Sequence, residues 1–150
     1  MLARDIRDYL ERLVEKHACV SAIWLIGSRA NGCSHAQSDW DFLVFGDDST
    51  LQSMRCDPSL KRDNIDLLVV YDGNSFEEPW GENPKGGNLT KWQWSEVSEN
   101  EAKYMQTKWV KNEENTKRFG VKHNMAFGDM IESQVKGILI WKNPKGFVLQ

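Results

Sequence analysis

Three aspartates occupy places where apolar side chains are expected. Asp39 and Asp41 flank Trp40 at the head of the run WDFLVF, and Asp66 lies inside the run IDLLVV. Aspartate is depleted in strands, and an ionised carboxylate at a largely buried position is costly unless a cation or several hydrogen bonds compensate it. Two residues apart on an extended strand, Asp39 and Asp41 project from the same face, with α-carbons roughly 6 to 7 Å apart. If the strand carrying Asp66 is a neighbour, its carboxylate can join them across the ladder. Three carboxylates so close repel one another and raise their own pKa values unless cations are present. Magnesium, with manganese as a substitute, is the natural cation: it takes hard oxygen ligands and is commonly held by a few carboxylates together with substrate phosphates. Two such ions about 3.5 to 4 Å apart would stabilise the attacking and leaving oxygens of an in-line displacement at phosphorus. Asp39, Asp41 and Asp66 are thus both the candidate metal ligands and the candidate catalytic residues.

A second group of residues complements them. Gly27 and Ser28 follow the apolar run VSAIWLI; a glycine there lets backbone N–H groups approach a phosphate, and the serine hydroxyl adds a donor. A helix starting at Ser28 or Arg29 would favour an anion further. Arg29 is a candidate phosphate ligand, although an arginine in a first helical turn more commonly faces solvent. Cys33 and His35 are close in sequence, but that spacing alone is weak support for a nucleophile and its base.

The surrounding pattern supplies elements to carry these groups. Leu2, Ile6, Tyr9, Leu10, Leu13 and Val14 recur at helical spacing among charged residues, which predicts an amphipathic helix over about 2 to 17. Val20–Ile26, Ser38–Phe45 and Asn64–Tyr71 read as strands, with a helix near 50 to 56 between the last two. The Gly-, Pro-, Asn- and Asp-rich stretch 72–89 reads as a long irregular loop. KWQWSEV alternates Trp92 and Trp94 with polar residues, which suggests a half-exposed strand. Ser98 and Glu101 have capping-box spacing and predict a helix to about Val110. A helix near Asp129–Lys136 and a strand at GILIW complete the expectation. The result is an α+β domain: a small mixed sheet flanked by helices.

With 150 residues, 40% of them hydrophobic, the chain fits a single domain. A net charge of −3 gives no broad positive field of the kind non-specific nucleic-acid binding needs, and Lys61 with Arg62 reads as a solvated turn. No stretch has the length and apolarity of a secretory signal or a membrane span, which points to a cytoplasmic protein without a membrane partner. Three cysteines without C-x-x-C spacing argue for reduced thiols rather than a disulfide framework or zinc site.

Gly27-Ser28, then Gly32, then Asp39-x-Asp41 with its apolar run, and Asp66 in IDLLVV resemble the nucleotidyltransferase signature of the DNA polymerase beta superfamily over roughly residues 20 to 71. The resemblance implies a minimal nucleotidyltransferase core, with residues 72–150 a family-specific extension. It implies that Gly27 and Ser28 hold the phosphates of a nucleoside triphosphate, that Asp39 and Asp41 ligate two magnesium ions, and that Asp66 helps hold the catalytic ion and activates the acceptor hydroxyl. The expected activity is transfer of a nucleoside monophosphate, from ATP or another triphosphate, to a hydroxyl of a protein or small molecule, with release of pyrophosphate. GILIW looks like the end of small bacterial nucleotidyltransferases paired with toxins, so a toxin-like protein is one implied partner. The helical substrate-binding domain of larger members is missing from the pattern.

Two other functions fit the same residues. A non-catalytic nucleotide-binding regulator would need the phosphate turn but not the third carboxylate, and a metal-dependent phosphoester hydrolase would use water in place of the acceptor. A structural reading has Asp39 capping a turn, Asp41 on a solvated face and Asp66 in a salt bridge. Trp40, alternating with the aspartates, should face the core; Trp92 and Trp94 are candidates for a substrate groove, while His17 and His123 read as surface or packing residues.

Overall fold

The computed structural model describes residues 2–111 and 128–148; His123 lies outside them. Helix α1 (Arg4–Lys16) buries Ile6, Tyr9, Leu10 and Leu13 on one stripe, as the periodicity predicts. It is followed by strands β1 (Ala22–Ile26) and β2 (Trp40–Phe45), helix α2 (Asp48–Arg55), a 3-10 turn at Pro58–Leu60, and β3 (Ile65–Val70). A capping box starts α2: Asp47 accepts from the Thr50 amide at 2.9 Å, and Thr50 Oγ1 accepts from the Asp47 amide at 3.2 Å. These elements match the expected ones to within a few residues.

The second half departs from expectation. The 72–89 stretch is not uniformly irregular, since β4 (Ser75–Glu77) and β5 (Gly86–Asn88) pair within it. KWQWSEV is not a strand: Asn88 caps the short helix α3 (Leu89–Trp92), accepting from the Lys91 amide at 2.8 Å, and Gln93 ends it in the left-handed region at φ 57°. Only Ser95–Glu96 is extended, as β6. The helix expected over 98–110 is instead β7 (Glu101–Lys111), and the one expected over 129–136 belongs to β8 (Gly128–Lys142). Ser98 and Glu101 form a hairpin turn, in which the Val97 and Ser98 amides donate to the Glu101 carbonyl. β9 (Gly146–Phe147) pairs with β8.

One mixed sheet of nine strands results, in the order β5-β4-β3-β2-β1-β8-β7-β6 with β9 beside β8. It is mixed, as expected, but large rather than small. Among the described residues only β2 and β3 are parallel, joined through α2 in a βαβ unit, and their register sets Asp41 opposite Asp66. Period-two alternation then divides the side chains. Ile23, Leu25, Trp40, Phe42, Val44, Leu67 and Val69 pack under α1 and α2 on one face. Trp24, Ile26, Leu43 and Val70 pack on the other face against Phe76, Leu89, Ala102 and Tyr104. Trp40 is core, as its alternation with the aspartates requires. His17 caps the end of α1 and is buried, its Nδ1 3.1 Å from Ser53 Oγ. No helix among the described residues is long and apolar enough to cross a membrane.

Candidate active site

Asp41 and Asp66 project from the face opposite α1 and α2, at matched positions of the only parallel ladder among the described residues. Burial first, then hydrogen bonding with the Asp66 side chain, then the negative charges of Asp66 and Asp39, push Asp41 up to about 7. Asp41 is half-buried and Asp66 exposed. Asp39 stands just before β2 and is exposed; its charge is felt by Asp41, but it does not line the cleft that holds the other two. Among the described residues, no three His, Cys, Asp or Glu side chains are arranged to hold a metal ion. The converged donors are the Asp41–Asp66 pair. Its chemistry fits a hard divalent cation, because two oxygen donors meet with their charge uncompensated and one of them holds its proton near neutral pH.

The cleft has a volume of about 330 Å³ and brings Gly27 together with the two carboxylates, Glu78, Lys85, Trp92 and Tyr104. Gly27 has φ +74°, and a Cβ there would overlap the Asp41 carboxylate. Both the backbone and the neighbouring side chain therefore demand glycine. The turn after it is a succession of tight bonds, with Ala30 N–H donating to Gly27 O and Asn31 and Cys33 N–H donating to Ser28 O. It does not continue into a helix at Ser28 or Arg29, so this turn presents no helix N-terminus. Among the described residues the Ser28 amide has no partner.

Two residues that sequence reasoning missed hold this turn. Gly27 N–H donates to the Tyr104 hydroxyl at 3.2 Å. Asn31 Nδ2 donates to Gly27 O at 2.8 Å and to Lys136 O at 3.1 Å, while its Oδ1 accepts from the Lys136 amide at 2.9 Å. Asn31 thereby acts as a strand residue would against β8, and Tyr104 reaches over from β7. Burial, with a smaller contribution from the Asp41 charge, raises the Tyr104 pKa against the lowering effect of the Gly27 bond. The alternation of Ala102 and Tyr104 with the charged Glu101 and Lys103 was the available signal; the Ser98–Glu101 spacing masked it.

Arg29 is placed elsewhere. Its guanidinium lies 4.2 Å from the Trp40 ring centre and donates to Ser38 O at 3.1 and 2.8 Å, with longer bonds to the His35 and Ala36 carbonyls. These contacts staple the 29–38 loop. His35 is likewise used within that loop, its Nδ1 accepting from the Gln37 amide at 3.2 Å.

Trp92 and Trp94 join one aromatic cluster under the cleft. Trp92 lies 5.2 Å from Tyr104 and 4.7 Å from Phe76, and Trp94 lies 5.3 Å from Trp24 and 5.8 Å from Tyr104. Only Trp92 of the two lines the cleft.

Residues 8–63 match the family described as polymerase beta, nucleotidyltransferase. Over that segment the chain is similar to nucleotidyltransferases of the polymerase beta superfamily. The match takes in the Gly27-Ser28 turn, Asp39 and Asp41, and stops short of Asp66, whose placement beside Asp41 comes from the strand register. A crystal structure of a candidate nucleotidyltransferase from Sulfolobus solfataricus is similar at 17% identity and a TM-score of 0.46, covering 97% of this chain and 84% of that one. No curated protein matches the chain.

Proposed function

We propose that the protein is a magnesium-dependent nucleotidyltransferase that moves a nucleoside monophosphate from a triphosphate, ATP first among them, to a hydroxyl on a protein or small molecule. The observation that carries this reading is the Asp41–Asp66 pair, set side by side by parallel register in one cleft with Gly27. Asp41 and Asp66 would hold the cation, with Asp39 the further donor beside them in the chain. When bound, the metal supplies charge neutralisation at the phosphates and at the leaving pyrophosphate. The chain's own part is positioning. The Ser28 amide is available to a phosphate oxygen, and Lys85 brings a cation to the cleft. Asp66, the more exposed carboxylate, would accept the acceptor's proton as its oxygen attacks the α-phosphorus and the bond to pyrophosphate breaks.

Label transfer tests the proposal. ATP labelled at the α-phosphate, incubated with magnesium and a cell extract, should leave label on an acceptor, while γ-labelled ATP should leave none. Asp66→Asn should reduce the transfer by at least about a hundredfold. Label released only as free nucleotide would indicate hydrolysis. Tight binding without transfer from any of the four triphosphates would indicate a regulatory nucleotide-binding protein.

A further inference from the structure

The cleft extends well past the carboxylates, and its far wall is aromatic. Two aromatic side chains from that face of the sheet line it: Tyr104 is 6% exposed and so is spent in the core, whereas Trp92 is only half-buried. The Trp92 ring is braced at 4.7 Å by Phe76 and at 5.2 Å by Tyr104, the latter nearly parallel at 23°. It is fixed from below by the N-capped turn of α3. A second cavity of about 440 Å³ is also lined by Trp92, Tyr104 and Gln106. A rigid indole held at a cleft that is otherwise polar at one end has the chemistry of a stacking platform.

We infer that Trp92 is the stacking surface for the base of the bound nucleotide. This rests on the nucleotidyltransferase reading, because the carboxylates and the Gly27-Ser28 turn place the phosphates and leave the base to the opposite wall. Every base has a π-face, so stacking of this kind accepts purines and pyrimidines with only modest preference. The Gln106 amide, also at the cleft, is the side chain placed to add a hydrogen bond to a base edge.

The experiment compares two ligands that differ in the nucleoside alone. Isothermal titration with magnesium and either ATP or inorganic tripolyphosphate should show the wild-type protein binding ATP at least about tenfold more tightly. Trp92→Ala should remove most of that difference and leave tripolyphosphate affinity unchanged, which also shows that the variant is folded. Trp92→Phe should restore the larger part. Equal affinity for the two ligands in the wild type overturns the assignment whatever the variants do, and so does a Trp92→Ala variant that weakens both ligands alike or neither. Failure of the wild type to bind either ligand would instead remove the nucleotidyltransferase reading itself, and this assignment with it.

Discussion

The Gly27 amide is donated to a phenol 77 residues further along the chain, and that single bond shows how the site is tuned residue by residue. The hydroxyl fixes the turn beside the carboxylates, while the Tyr104 ring packs against Trp92 and Trp94. Tyr104→Phe keeps the ring and removes the acceptor, so it separates the two roles. Leaving a part-buried N–H without a partner costs about 1–3 kcal/mol. If that cost falls on positioning, kcat for nucleotidyl transfer should fall about tenfold or more, with a smaller change in KM for ATP. Steady-state rates at saturating ATP check this, and an unchanged kcat would show that the bond merely joins two segments. The chemistry-bearing residues Gly27, Asp41 and Asp66 were legible because their types clash with their surroundings. Tyr104 and Asn31 were not, since a tyrosine in a strand and an asparagine in a turn are ordinary until the fold brings them to Gly27.

At the scale of elements, the first half of the sheet was legible and the second was not. β1, β2 and β3 are short apolar runs ended by turn residues, and α1 shows its stripe directly. β7 and β8 lack that clarity because each is stabilised mainly by the other, through eleven consecutive paired positions from Glu101↔Ile138 to Lys111↔Gly128. Local signals such as Ser98-x-x-Glu101 then compete with a partner that is distant in sequence, and the partner wins. The same hairpin supplies Tyr104 and the Lys136 backbone that hold the 27–31 turn. The extension is therefore part of the site's frame. Because the turn is gripped on both sides, it has little freedom to absorb a side chain at Gly27. Gly27→Ala should cost about 1–3 kcal/mol of stability from the left-handed backbone alone. By displacing Asp41 it should also reduce transfer by at least about a hundredfold. Urea denaturation and the label-transfer rate measure the two effects separately. Ala in place of Gly27 with normal rate would mean that the Asp41 carboxylate need not stay where it is.

For the molecule as a whole, the carboxylate pair links activity to stability. Asp41 titrates at about 7 in the folded chain, against 3.8 as its ordinary value. Between those two values the folded protein holds a proton that the unfolded chain has released, so stability falls as pH rises through this window and is flat above it. The contribution is fully present below about pH 4 and lost by the time pH passes about 7. Asp41→Asn removes the titration while keeping the shape of the side chain. In the metal-free protein the variant should therefore match the wild type near pH 4 and become increasingly the more stable of the two up to about pH 7. Beyond that the gap should stay constant at about 1–2 kcal/mol, less than the whole pKa displacement would give because water reaches the half-exposed carboxylate and screens it. Melting temperatures across pH 4 to 9 in a chelating buffer measure this, and a gap that fails to widen with pH would mean that Asp41 is not strained by its neighbours. Adding magnesium with ATP at pH 8 supplies the compensating charge to the wild type alone. Ligand present at about a hundredfold over its Kd should stabilise the wild type by about 2.7 kcal/mol, enough to reverse the order of the two proteins. A variant that is the more stable protein without ligand and the less stable one with it is the outcome expected of a cation-binding carboxylate pair.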